Sequence, residues 1–330
     1  MEQTQIMTVR KSVRKDSSRM GWSMILYAIV STIVSMVWMT GETIIRSGFR
    51  LQGVTDEAQQ EKVFEDVLIE VTEKTGTYLI VGVLAGLLCL LPFLFGSDRM
   101  KSIFRTEKKM TLPCFLALTC VFFGGQLVFS GAYELMEAGL NLIGFTAESS
   151  MEMATAGSQT ISMFIYAGII APIAEELVYR GLAMRCLEKH GKVLAIVVSS
   201  LLFAVMHANL PQSVFAFMVG LVLGYVAMEY SIIWSILLHI LNNMVLGDLM
   251  SKALEGCSEQ VQNIVNLSVL GLFFLLGLIV LIRNGRKIFA WIRENMWEKP
   301  RMRWTLTTVS MLLFVGAHLV MAIALLERCQ

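Results

Sequence analysis

Charge is what this sequence has least of. Asp, Glu, Lys and Arg make up 16% of its 330 residues, against roughly 25% in soluble domains. A soluble chain of this length needs a polar surface over its core, and this one lacks the charge to build it. A disordered chain is excluded as well, because 55% of the residues are hydrophobic and mean hydropathy is +0.65. The six cysteines include no C-x-x-C pair, and the composition is not that of a disulfide scaffold. Net charge is +1, and the basic residues stand in short separate segments rather than one stripe, which argues against nucleic acid as a partner. What remains is an all-α, polytopic transmembrane helical bundle whose partner is the lipid bilayer.

A bilayer core needs about 20 apolar residues per helix. Nine runs qualify, at 20–40, 77–97, 112–134, 159–187, 191–209, 211–228, 231–249, 263–282 and 304–326. They are continuously apolar rather than alternating, which excludes an outer-membrane barrel. No small-residue cleavage site follows the first run, so it reads as an uncleaved anchor.

Lys and Arg near span ends set orientation. The N-terminal segment carries Arg10, Lys11, Arg14, Lys15 and Arg19. The segment after the first run is acidic, with Asp56, Glu57, Glu61, Glu65, Asp66 and Glu70. After the second run come Arg99, Lys101, Arg105, Lys108 and Lys109. After the third come Glu134, Glu137, Glu148 and Glu152, and after the fourth Arg185, Lys189 and Lys192. Arg283, Arg286, Lys287, Arg293, Lys299, Arg301 and Arg303 precede the last run. With nine crossings and a cytoplasmic N-terminus, every basic cluster falls on the cytoplasmic side.

Trp22, Trp38, Trp234 and Trp304 lie near span ends, where interfacial anchors belong. Residues 63–71 have apolar positions at helical spacing and read as an amphipathic helix on the outer face, most simply a structural cap. Cys257 and Cys329 fall on the outer side, where a bridge is open to them.

A charged group inside a span is expensive, so the ionisable residues within the apolar runs are the functional candidates. The fourth run contains Pro172, which should kink it, followed by Glu175, Glu176 and Arg180. Glu176 and Arg180 are four apart and can pair. An ion pair would account for those two without any chemistry, but Glu175 points about 100° away and has no local cation at that spacing. His207 closes the fifth run, and His239 and Asn243 share a helix face in the seventh. His318 has no polar neighbour at helical spacing and reads as structural. Gly82–Gly86 and Gly220–Gly224 are G-x-x-x-G pairs, which let helices approach closely.

A Glu and a His converging in a wet intramembrane cavity can deprotonate water. A second His and an Asn can donate to an oxyanion. That set is enough for peptide hydrolysis without a covalent enzyme intermediate. The same groups could instead hold a metal such as zinc, with Glu175, His207 and His239 as ligands and a fourth position for water. There is no H-E-x-x-H, no G-x-S-x-G and no phosphate-cradling G-x-x-x-x-G-K-[ST].

Glu-Glu-x-x-x-Arg at 175–180, Phe-x-x-x-His at 203–207 and His-x-x-x-Asn at 239–243 resemble, in order, three motifs of the CPBP intramembrane proteases. That family includes the CAAX prenyl endopeptidases and the bacteriocin-processing and immunity proteins. The resemblance covers about residues 159–250. It implies a membrane-embedded site, usually opening toward the cytoplasm, in a bundle often drawn with eight spans, so eight to nine are expected here. It implies Glu175 as the catalytic carboxylate working with His207, Glu176 and Arg180 as orienting groups, and His239 and Asn243 as oxyanion stabilisers. Whether a metal takes part is disputed for the family. The implied organisation is a basic cytoplasmic segment at 1–19, N-terminal spans with an acidic outer loop at 20–158, a catalytic helical core at 159–250, and C-terminal spans at 251–330. The implied setting is a bacterial cytoplasmic membrane. The implied substrate is a membrane-associated peptide, either a bacteriocin or signal-peptide leader or a prenylated tail.

Two other classes compete. A non-proteolytic immunity or regulatory protein would keep the fold and bind a partner such as a sensor kinase. A transporter would use the polar residues as a substrate path, but only one Pro-interrupted run is evident where paired broken helices are common.

Overall fold

A computed structural model describes residues 2–94, 102–155 and 158–329. Arg99 and Lys101 lie outside the described residues. The helices are α1 (Glu2–Arg50), α2 (Glu57–Glu73), α3 (Thr75–Leu94), α4 (Leu112–Leu142) and α5 (Glu148–Thr155). They continue with α6 (Ile161–His190), α7 (Lys192–Val205), α8 (Leu210–Glu229) and α9 (Ile232–Leu254). The last are α10 (Glu259–Glu294), α11 (Pro300–Leu306) and α12 (Val309–Ala324). Two short strands, β1 (Phe145–Thr146) and β2 (Glu327–Arg328), pair antiparallel and tie the C-terminal tail to the α4–α5 loop.

Over their described residues all nine apolar runs are mainly helical. Among the described residues seven helices are long and apolar enough to cross a membrane, and α11 with α12, bent by 70°, makes an eighth if the pair is one span. The remaining run is α7, which has only 14 residues, a length of about 21 Å. That falls short of a hydrocarbon core of about 30 Å.

The chain nevertheless runs back and forth nine times between two ends. At one end Asp16 lies 2.9 Å from both Lys189 and His190, and Arg105 pairs with Glu188. At the same end Glu229 binds Lys108 at 2.6 Å and Lys192 at 2.9 Å, and the Val193 amide donates to the Asn295 carbonyl. The Glu229 carboxylate holds the Lys108 ammonium above the ordinary lysine value. At the opposite end Arg50 binds Glu70, Ser162 donates to the Glu73 carbonyl, and Ser150 donates to the Leu325 carbonyl. The described basic clusters therefore do share one end. Net attraction to acidic residues of neighbouring loops helps hold that end together, although each exposed pair contributes little.

α2 forms as its pattern suggests. The Asp56 carboxylate caps it by accepting from the Gln59 amide, and its apolar positions Val67 and Val71 are buried beside Tyr78. Trp22 and Trp38 project from α1 with about half their surface exposed, as anchors should. Trp234 instead packs on Phe115, with ring centroids 5.2 Å apart, and serves the interior. Cys257 and Cys329 are both free thiols, and Cys329 donates to Asn141. The open question of a bridge between them is thereby answered. His318 bonds its own helix at the Phe314 carbonyl, a structural role.

The first G-x-x-x-G pair seats α3 on α1. A Cβ at Gly82 would collide with Ser35 Oγ, and one at Gly86 with Ser31 Oγ.

Candidate active site

The site is built on α6, α7 and α9. α6 runs unbroken through Pro172, but not as plain α-helix. Tyr166–Ile170 and Glu176–Met184 are π-helical, and α9 turns π-helical over Asn242–Leu249. Such wide turns are rare and favour functional sites. The proline gives a physical reason for the first. In the π pattern the Ala171 amide donates five residues back, to Tyr166. The next donor would be residue 172, and proline has none. The Ala167 carbonyl it would have reached accepts instead from the Asn243 side chain, at 2.9 Å.

Glu176 is fully buried at the centre of the site. Its Oε1 lies 2.9 Å from Arg180 Nη1 and 3.1 Å from His239 Nδ1, and its Oε2 accepts from Ser235 at 2.5 Å. The predicted Glu176–Arg180 pair is thus present within the π-turn. Arg180 also donates to the Gly220 carbonyl and stacks over Phe203, 4.4 Å from the ring centroid. A carboxylate and a guanidinium sealed from solvent are costly to bury and costly to separate.

His239 links the two carboxylates. Glu176 can only accept, so His239 Nδ1 carries the proton of that bond. Its other nitrogen, Nε2, lies 3.6 Å from Glu175 Oε2, beyond direct hydrogen-bond distance. Glu175 keeps 17% of its side chain exposed, whereas Glu176 has none. His207 Nδ1 lies 2.8 Å from the Phe203 carbonyl. A carbonyl only accepts, so in the neutral ring Nδ1 is the donor and Nε2 offers its lone pair. The Phe203 ring meets both His207 and His239 edge-on, at 5.0 Å and 5.6 Å. His207, Glu175 and His239 are close enough to interact electrostatically.

The structure thus brings Glu175, Glu176, Arg180, His207 and His239 together. Asn243 lies on the same stretch of α9, but its amide is engaged by Ala167 and its Oδ1 accepts from Asn242. Among the described residues no group of three or more His, Cys, Asp or Glu is gathered so as to hold an ion. His239 Nδ1 is given to Glu176 and His207 Nδ1 to the Phe203 carbonyl, so Nε2 is the nitrogen each ring has left for a ligand.

Sequence reasoning missed Ser235 and Gln126. Ser235 is four residues before His239, on the same helix face, so the spacing could have found it. Gln126, on α4, donates to Asn242 Oδ1 at 2.7 Å, and no local spacing points to it.

The second G-x-x-x-G pair closes α8 onto α7. A Cβ at Gly220 would lie 3.1 Å from Ser200 and 3.3 Å from Arg180, and one at Gly224 would lie 2.9 Å from Ile196. The four-residue turn between these helices holds His207. Its next residue, Ala208, has φ +48°, a conformation L-residues enter reluctantly and which clusters at functional sites. Asn209 then caps α8 by accepting from the Gln212 amide and donates to the Ser150 carbonyl.

Residues 157–245 match the family model described as type II CAAX prenyl endopeptidase Rce1-like. No curated protein and no solved structure matches the chain. The match falls on the helices that carry the three motifs and agrees with the resemblance drawn from them. It supports a multi-pass membrane protein with protease activity. It carries neither the bacteriocin-immunity role nor the sensor-kinase partner.

Proposed function

We propose that this chain is an intramembrane endopeptidase that hydrolyses a peptide bond with water activated by Glu175 and His207. The observation that carries the reading is the asymmetry of the twin carboxylates. Glu176 is sealed and spoken for by Arg180, His239 and Ser235. Glu175 is partly exposed and is held only at arm's length from His239.

Glu176 and Arg180 orient the site. By accepting from His239 Nδ1, Glu176 fixes that ring so that Nε2 faces Glu175 and the substrate. Glu175, helped by the lone pair of His207 Nε2, takes a proton from water as its oxygen attacks the scissile carbonyl carbon. A C–O bond forms and the carbonyl electron pair moves onto oxygen. The second amide proton of Asn243 and the Nε2–H of His239 as imidazolium, its Nδ1–H being given to Glu176, donate to that oxyanion. Collapse breaks the C–N bond, and the proton held by Glu175 passes to the leaving amine. No covalent enzyme intermediate and no metal enters these steps.

The substrate is a membrane-associated peptide, either the leader of an exported peptide or a lipidated tail. The test is cleavage of both kinds of peptide by purified protein in detergent, with products identified by mass. Wild-type protein is expected to cut one of them and to keep its rate after chelator treatment. Inertness toward both, in protein that remains folded, would contradict the peptidase reading.

A further inference from the structure

We propose that Gln126, on α4, is a positioning residue for the hydrolysis, setting the Asn243 amide through Asn242. The proposal rests on the peptidase reading. It adds to the site a helix that lies outside residues 157–245, the stretch that matches the family model.

Gln126 stands near the middle of the 31-residue α4, flanked by Val121, Phe122, Phe123, Leu127, Val128 and Phe129. A carboxamide in such apolar surroundings is costly unless it finds a partner. Gln126 finds one on another helix, where its Nε2 donates to Asn242 Oδ1 at 2.7 Å. The Asn242 amide donates to Asn243 Oδ1 at 3.1 Å, and the Asn243 amide donates to the Ala167 carbonyl at 2.9 Å. Three side-chain amides are therefore aligned head to tail across α4, α9 and α6. Neighbouring positions of a helix point in different directions, so Asn242 serves α4 while Asn243 serves α6.

The direction of the row decides what it does. A carboxamide has two N–H donors and one carbonyl oxygen. Asn243 gives one N–H to Ala167, and the second is the one that meets the oxyanion. With its oxygen held by Asn242, the amide cannot turn end for end and present that oxygen to the developing charge. Hydrogen bonds in a chain also polarise one another, so accepting at Oδ1 makes the free N–H a better donor. Asn242 is buried and is held in the same way by Gln126. Without that donor its oxygen and nitrogen could exchange places, which would set oxygen against oxygen at Asn243.

α4 is a firm base for this contact. It approaches α10 closely, since a Cβ at Gly124 would lie 2.7 Å from Phe274 Cα and one at Gly277 would lie 2.8 Å from the Cys120 carbonyl oxygen. Phe129, three residues past Gln126, packs on Phe215 of α8 with ring centroids 5.1 Å apart. The orientation of Asn243 is thus set from a helix that carries none of the three motifs.

The test is a double-mutant cycle of Gln126→Leu with Asn243→Ala, measured on the peptide that wild type cleaves. Gln126→Leu is expected to lower kcat about 10-fold with KM unchanged, against about 10²–10³-fold for loss of the oxyanion donor itself. In the Asn243→Ala background it is expected to change nothing further, because the group it acts through is gone. Gln126→His, whose Nε2 can donate at a similar reach, is expected to recover most of the rate. A wild-type kcat in Gln126→Leu would overturn the proposal. So would a loss that multiplies with that of Asn243→Ala, as a packing defect would. If Gln126→Leu does not fold, Asn242→Ala takes its place in the cycle with the same expectations. The cycle read as thermal unfolding in detergent needs no catalysis, and the losses are expected to be non-additive because the three amides form one network. In a wild type that cuts nothing, non-additive unfolding would sink the peptidase reading and leave the amide row standing, whereas additive unfolding would overturn the row as well.

Discussion

The Asn243 amide donates to the Ala167 carbonyl across 2.9 Å, at the place where Pro172 withholds a backbone proton. α6 and α9 are therefore joined at a defect that the proline creates. An alanine at 172 would restore the missing N–H and compete with Asn243 for that carbonyl. Pro172→Ala is expected to fold, with unchanged or higher thermal stability, and to lose peptidase rate. A variant as fast as wild type would show that the defect has no part in turnover.

Asn243→Ala tests the oxyanion role directly. Removing one oxyanion donor lowers kcat by about 10²–10³-fold. The expected signature is that loss in kcat with KM little changed, measured on the peptide that wild type cleaves. A change confined to KM would assign Asn243 to binding alone.

Breaking the buried pair should cost stability before chemistry. Arg180→Leu leaves Glu176 ionised, without its cation, in a fully buried position, and removal of one partner of such a pair costs about 3–5 kcal/mol. Thermal unfolding in detergent is expected to drop accordingly. A double change of Glu176→Gln with Arg180→Leu should recover part of the loss, because no lone charge remains.

The α7–α8 contact admits little. At Gly224 a Cβ would already stand 2.9 Å from Ile196. Gly224→Val is expected to lower stability by about 1–3 kcal/mol through overpacking, read as the same drop in unfolding midpoint with and without substrate.

Much of this was legible in the sequence because charge is so scarce. Glu175, Glu176, Arg180, His207 and His239 stood out as ionisable residues in apolar runs, and the structure gathers all five. The sharing of one end by the described basic clusters was legible too, since each loop carries its own sign of charge. The shortness of α7 was not. The run at 191–209 gives no sign of a break before its end, and only the structure shows that residues 206–209 leave the helix to form the turn that holds His207. The first π-turn was also hidden, because its cause is a missing donor at Pro172 combined with the amide of Asn243, which lies 76 positions from the Ala167 carbonyl it reaches. Gln126 escaped because its partner Asn242 is 116 positions away.

The central claim is that Glu175 takes the proton of the attacking water. The direct measurement is the single-turnover cleavage rate of Glu175→Gln, alongside its thermal unfolding. A positioned general base contributes about 10²–10⁴-fold. The account predicts a loss of that size with the unfolding midpoint unchanged, because Glu175 takes no part in the buried Glu176–Arg180 pair. Cleavage at the wild-type rate by folded Glu175→Gln protein would contradict it.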